Sequence, residues 1–127
     1  MSESTKILVI DDDVSVHKLI EMALTKQAVD FAFVKSAVQG MRLIDELQPH
    51  IIIMDLLLPD SIKGWDAIQQ LKAHEDTREI PILVITAGNN QHISRAMNAG
   101  ADTYLTKPFK VRDLQSIVAS YMSAIHS

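Results

Sequence analysis

Ile51-Ile52-Ile53-Met54-Asp55, followed by Leu56-Leu57-Leu58-Pro59, is the stretch on which the fold turns. So short an apolar run signals a buried strand, and β-branched isoleucine favours strand over helix. Buried on both faces, such a strand sits centrally in a parallel sheet. Asp55 falls at its C-terminal end, where open α/β sheets place their chemistry. Alone, that carboxylate is either a turn residue or the reactive group of the protein.

On the N-terminal side, Ile7-Leu8-Val9-Ile10 is a second wholly apolar run, and it too ends in acids, Asp11-Asp12-Asp13. Val16, Leu19, Ile20, Ala23 and Leu24 then recur at helical spacing, which predicts a helix over about 14–26 with Asp13 as its N-cap. Phe31-Ala32-Phe33-Val34 reads as a third strand, less uniformly apolar and so expected nearer an edge. The helix after it turns Val38, Met41, Leu43, Ile44 and Leu47 inward and stops at Pro49.

On the C-terminal side, Asp60-Ser61-Ile62-Lys63-Gly64 is a polar loop, and Trp65, Ile68 and Leu71 mark a helix running to about His74. Pro81 opens the strand Ile82-Leu83-Val84-Ile85, which ends at Thr86. Ala87-Gly88-Asn89-Asn90 is a turn; Ile93, Ala96 and Met97 mark a short helix closed by Gly100. Asp102 to Thr106 is the last strand and ends at Lys107-Pro108. A final helix carries Val111, Leu114, Ile117, Val118, Tyr121, Met122 and Ile125 on one stripe.

Strand and helix thus alternate through five units with no linker or repeat, so the expectation is one α/β domain over residues 1–127. Such alternation means parallel strands, helices on both faces and right-handed crossovers. Composition agrees: 127 residues, 47% hydrophobic and 22% charged, are enough for a real core. The net charge of −4 and the absence of any Lys/Arg run argue against direct nucleic-acid binding. The absence of cysteine removes disulfides, thiolate metal sites and cysteine nucleophiles together. A polar N-terminus without a signal peptide, and no apolar stretch near the ~18–20 residues of a membrane span, point to a cytoplasmic domain.

Strands 1, 3, 4 and 5 would deliver Asp11 and Asp12, Asp55, Thr86 and Lys107 to a single edge. Acids gathered there form an oxygen-rich pocket with surplus negative charge, and a hard divalent cation such as Mg²⁺ suits it. A lysine ammonium can neutralise a further anionic oxygen, and a threonine hydroxyl can donate to another. Together they describe a phosphoryl site near a metal, with a carboxylate as nucleophile.

Taken singly, each residue has a plainer reading. Asp13 is better read as a helix cap than as part of the site. Asp55 could be a turn former, Thr86 a β-branched strand residue, and Lys107 a solvated charge ahead of a proline stop. Tyr104 reads as an edge-strand residue with its hydroxyl toward water. The coincidence at four strand ends carries the inference. The five histidines show no metal-binding spacing and read as surface or boundary residues, and the methionines read mostly as core filler on helices.

In this combination and order, the chain resembles a receiver domain of the bacterial response-regulator family. The motifs that carry the resemblance are Ile7 to Asp13, Met54-Asp55-Leu56-Leu57-Leu58-Pro59, Ile85-Thr86-Ala87, and Gly100-Ala101-Asp102 with Tyr104 and Lys107-Pro108-Phe109. It implies a flavodoxin-like (βα)5 doubly wound sheet of strand order 2-1-3-4-5. That order is adopted from known folds, chemotaxis receivers among them, and is not given by the residues alone.

The resemblance further implies that Asp55 accepts a phosphoryl group from a histidine kinase or histidine phosphotransfer protein. Asp12 would ligate Mg²⁺ directly, Asp11 largely through water, and Asp55 and the main-chain carbonyl of Leu57 would complete the protein's share. Lys107 would hold a phosphoryl oxygen across a cis bond to Pro108. Thr86 would move toward the phosphoryl group with Tyr104 swinging inward behind it. The output face would be the fourth helix, fifth strand and fifth helix, roughly residues 90–125, engaging a downstream protein, an attached output domain or, on phosphorylation, a second copy. The domain would be a phosphoacceptor switch that assists only its own phosphorylation and dephosphorylation, and not an enzyme.

Two departures from the family pattern stand out. Four residues, Asp60 to Lys63, separate Pro59 from Gly64 where the family has three, which is expected to reshape the rim of the site. Leu57, two places after Asp55, cannot orient an attacking water and is expected to give hydrolysis no help. The alternative from another class is a Mg²⁺-dependent phosphatase of the haloacid-dehalogenase type with Asp55 as nucleophile. That family wants a second acid at the position of Leu57. A nucleotide- or flavin-binding module is weaker still, because no Gly-rich phosphate loop is present.

Overall fold

The computed structural model describes residues 4–59 and 62–126. Five strands, β1 (Thr5–Ile10), β2 (Val29–Val34), β3 (Ile51–Met54), β4 (Ile82–Thr86) and β5 (Thr103–Thr106), alternate with five helices. The helices are α1 (Val14–Ala23), α2 (Ala37–Leu47), α3 (Gly64–Ala73), α4 (Asn90–Ala99) and α5 (Val111–Ile125). All strand pairs are parallel, in the order β2-β1-β3-β4-β5, so the flavodoxin-like order is borne out.

The apolar run Ile51–Met54 is buried at every residue and lies mid-sheet, with Ile53 opposite Val9 on one side and Leu83 on the other. Its side chains divide between two cores. Ile52 and Met54 join Leu8, Ile10, Ile68 and Leu71 on one face, and Ile51 and Ile53 join Ile7, Ile20, Leu114 and Val118 on the other. Burying a Leu- or Ile-sized side chain is worth about 1.5–3 kcal/mol, so these paired layers hold the strand ends in fixed register. Strand ends placed that firmly can aim side chains. β2, predicted nearer an edge, is an edge strand, with its residues only partly buried.

The helix ends follow local chemistry. Asp13 caps α1 by accepting from the Ser15 amide, as the sequence predicts, and Ser36 and Asn89 do the same for α2 and α4. Gly100 closes α4 at φ 119°, where a Cβ would meet the Lys72 side chain at 2.7 Å.

Three expectations need correction. α1 ends at Ala23 and not near 26, because Leu24 leaves helical geometry and caps it. Leu19 and Val111 belong to the predicted stripes but are exposed at their margins. Among the methionines, Met22 on α1 is 72% exposed and Met97 also faces solvent, so these two are not filler.

Candidate functional site

The C-terminal edge of the sheet gathers the predicted residues. Asp11 follows β1 and Asp55 follows β3, and the two are only 2% and 6% exposed, while Asp12 is open to solvent. One carboxylate oxygen from each of the three lies within 4.8 Å of the others. Lys107, just past β5, reaches back with Nζ 2.8 Å from Asp11 Oδ2 and 2.9 Å from Asp55 Oδ2. Each buried acid is also gripped by its own backbone two residues on. Asp11 Oδ1 accepts the Asp13 amide at 2.9 Å, and Asp55 Oδ1 accepts the Leu57 amide at 3.1 Å.

Among the described residues, three carboxylates facing one ammonium leave the pocket negative. Burial pushes the Asp11 carboxyl above its ordinary 3.8, outweighing the hydrogen bonds from Lys107 and the Asp13 amide, and the Asp55 charge adds to the rise. For Lys107, burial alone would lower the pKa, but the hydrogen bonds to Asp11 and Asp55 prevail and hold the ammonium above its ordinary 10.5. Donors that are all oxygen, closely spaced and short of positive charge fit a hard divalent cation.

Thr86 closes the fourth strand, fully buried, and its Oγ accepts the Gly88 amide at 3.1 Å. The chain just after β3 explains Gly64: a Cβ there would lie 2.7 Å from Leu56 Cα and 2.9 Å from the Asp55 carbonyl. α3 can therefore start hard against the backbone that carries Asp55.

Residues 7–119 match the response regulator receiver domain family. The chain belongs to that family. It is 36% identical over 118 residues to the DNA-binding dual master transcriptional regulator RpaA of Synechocystis, which covers 92% of this chain and 48% of that protein. It is 37% identical over 113 residues to the transcriptional regulatory protein KdpE of Staphylococcus aureus, covering 88% and 47%. The chain thus spans about half the length of the curated relatives it matches. The receiver domain of a sensor histidine kinase of Pseudomonas aeruginosa, solved with a magnesium ion coordinated in its active-site cleft, superposes with a TM-score of 0.84 at 29% identity, covering 95% of this chain and 99% of that one. The phosphatase reading finds no support in these matches.

The receiver domain thus brings Asp11, Asp12, Asp55 and Lys107 together, with Thr86 at the end of the adjacent strand. Tyr104 is set apart: it stands on β5 and is 47% exposed, in line with the plain edge-strand reading. The Lys107–Pro108 bond is cis, as the resemblance implies. Leu57 presents an apolar side chain at the rim, 44% exposed. Of the loop with the extra residue, Asp60 and Ser61 lie outside the described residues.

One residue was misplaced by sequence. His17, read as surface or boundary, is only 8% exposed, with Nε2 2.6 Å from the Asp11 carbonyl. The available signal was its position three residues before Ile20 and seven before Leu24, on the inner stripe of α1.

Among the described residues no helix is long and apolar enough to cross a membrane.

Proposed function

We propose that Asp55 is the phosphoacceptor of this receiver domain, taking its phosphoryl group from the phosphohistidine of a histidine kinase or phosphotransfer protein. The observation that carries the reading is Lys107 Nζ, held between Asp55 and Asp11 at 2.9 and 2.8 Å beside the exposed Asp12. A carboxylate oxygen of Asp55 attacks phosphorus, the P–N bond breaks, and the electron pair leaves with the imidazole. The ammonium of Lys107 then faces the phosphoryl oxygens and neutralises the charge spread over them.

Mg²⁺ is the divalent ion that suits this donor set. Asp11, Asp12 and Asp55, with the Leu57 carbonyl, would hold it, and when bound it supplies positive charge opposite the transferring oxygens. This chain's own part is orientation: the Asp13 and Leu57 amides fix one oxygen of each buried acid, and the other faces Lys107. The domain so described assists its own phosphorylation and dephosphorylation and turns over no separate substrate.

The readout follows from Thr86. Its hydroxyl exchanges the Gly88 amide for the phosphoryl group, Tyr104 turns inward, and the face made by α4, β5 and α5 changes shape. That face engages a downstream protein, an attached output domain or a second copy. RpaA is named as DNA-binding, but in this chain a charge of −4 without a basic cluster leaves nucleic-acid contact to whatever it controls. We place residues 1–127 as one receiver domain working in the cytoplasm.

The test is incubation with acetyl phosphate and Mg²⁺ followed by intact-mass measurement. An acyl-phosphate adduct is expected in the wild type and absent in Asp55→Asn. No wild-type adduct, or one that survives the substitution, overturns the assignment. Sustained turnover of a small phosphoester would place the chain among hydrolases instead.

A further inference from the structure

We propose that His17 is a positioning residue for the divalent-cation site: its Nε2–H, donated to the Asp11 carbonyl, fixes the peptide unit that joins Asp11 to Asp12. The inference rests on the reading of those two acids as cation ligands. It concerns a residue outside the strand ends, on the second turn of α1.

The contact is short and buried. Nε2 lies 2.6 Å from the carbonyl oxygen, and because a carbonyl can only accept, the ring must donate from Nε2. The Asp11 amide is already committed to Val34 O at 3.0 Å, so the chain leaves β1 with its N–H held by the sheet and its C=O held by the imidazole. Without the ring, the carbonyl of a residue only 2% exposed would lack this donor, and an unpaired buried carbonyl costs about 1–3 kcal/mol. The turn would answer by rotating the Asp11–Asp12 peptide toward water.

That rotation matters because the two acids sit on either side of this peptide. Asp11 points inward to Lys107 and Asp12 is exposed, and turning the plane between them would move carboxylate oxygens that now come within 4.8 Å of each other and of Asp55. The next links are already fastened: the Asp13 amide to Asp11 Oδ1, and the Ser15 amide to Asp13 Oδ1. The Asp11 carbonyl is a further handle on this turn, and His17 holds it.

The ring is itself held in place. It stacks on Phe33 with centroids 4.9 Å apart at 27°, and Phe33 stacks on Phe31 at 5.1 Å. Both phenylalanines lie on β2, where Phe33 pairs in register with Val9, two residues before Asp11. The His17 amide also donates to Asp13 O at 3.3 Å, so main chain and side chain of one residue grip the acidic turn at two points. Such partners outside the ligand shell typically change metal affinity by about 10–100-fold when removed.

Donation and stacking are separable. His17→Phe keeps the aromatic contact and loses the donor, with His17→Leu as a second donor-free variant. His17→Gln loses the ring but places an amide nitrogen the same number of bonds from Cβ as Nε2. Mg²⁺ titration of the unphosphorylated protein, followed by amide NMR shifts at Asp12 and Asp13, gives affinity independently of turnover. A urea melt without metal gives the structural cost of each substitution.

The expected result is Mg²⁺ affinity weakened 10-fold or more in the Phe and Leu variants and restored to within about 3-fold of wild type in Gln. With acetyl phosphate, the Mg²⁺ concentration for half-maximal labelling should rise while the rate at saturating Mg²⁺ stays close to wild type. Wild-type affinity in a folded Phe or Leu variant overturns the proposal, as does a Gln variant no better than Phe. A wild type that shows no saturable Mg²⁺ binding defeats the cation-site reading and this inference with it.

Discussion

Two lysines, one at each end of the sheet, make the function of this receiver domain intelligible by contrast. Lys107 at the C-terminal edge sits between two buried carboxylates, with a third carboxylate oxygen within 4.8 Å of theirs. Lys72 at the opposite edge, beside the starts of β4 and β5, donates to the Arg78 and Ile80 carbonyls at 3.1 and 2.8 Å and to Asp102 at 3.2 Å. Asp102 in turn accepts the Ile82 amide at 2.8 Å. The lower cluster is balanced, one ammonium to one carboxylate with carbonyls filling the remaining donors. The upper one is outnumbered. A saturated cluster staples strands together, whereas one short of positive charge suits a cation, as the proposed phosphoryl-transfer role requires.

Exchanging each lysine for methionine separates the roles. Lys107→Met should slow labelling by acetyl phosphate by about 10²–10³-fold, the usual loss when a charge-facing donor is removed. It should also cost about 2–3 kcal/mol in urea unfolding, below the ~3–5 kcal/mol of fully buried pairs because the ammonium is 19% exposed. Lys72→Met should cost roughly 1–2 kcal/mol, since its carbonyl partners lose a charged donor, while labelling stays within about 2-fold. A Lys72 variant as slow as the Lys107 variant would erase the distinction.

How much of this could be read from sequence follows the same division. The central strand, the alternation and the acids at strand ends were legible because a parallel sheet forces apolar runs and parks their C-termini together. Spacing alone therefore puts Asp11, Asp12, Asp55, Thr86 and Lys107 on one sheet edge, while the strand order that makes them neighbours comes from the family resemblance. β2 was read two residues short, since Val29 and Asp30 lack the apolar character of a central strand and are fixed by pairing with Thr5 and Lys6. Leu19 was misread because it lies at the margin of the α1 stripe, where spacing does not separate burial from exposure. The burial of His17 is legible in its spacing, but what His17 and Lys72 do is not: each acts on main-chain carbonyls, and a carbonyl leaves no mark in the residue string.

A smaller effect tests whether the upper cluster is wired to its surroundings. Thr86 Oγ accepts the Gly88 amide, and Gly88 lies against His92, where an added Cβ would come 2.9 Å from Nδ1. His92 stacks on Trp65, the only tryptophan, at 5.5 Å and 12°, and Arg95 stands 5.2 Å over the indole. Beryllofluoride should thus alter Trp65 emission, and Thr86→Ala should shrink that change while leaving labelling of Asp55 within about 3-fold, as expected for a residue whose bond to the phosphoryl group forms after transfer. Emission unchanged in the wild type would break the link from Thr86 to α4.

The smallest expected effect lies at the balanced end. Tyr121 donates its hydroxyl proton to Thr103 Oγ1 at 2.6 Å, and burial raises its pKa above 10.0, with the Asp102 charge adding to the rise while the Thr103 bond opposes it. In the unfolded chain the phenol ionises near its ordinary value, so above pH 10.0 the unfolded state sheds a proton that the folded state retains, and stability falls as pH rises. Lys107 acts in the same direction: its folded pKa is raised above 10.5, so its contribution is complete below that value and is lost as pH climbs through the folded one. Urea unfolding between neutral pH and pH 11 should therefore show an alkaline decline that is shallower in Tyr121→Phe and shallower again when Lys107→Met is added. An unchanged slope in Tyr121→Phe would mean that the phenol is as free to ionise in the fold as out of it, and that the lower end is less tightly closed than its hydrogen bonds imply.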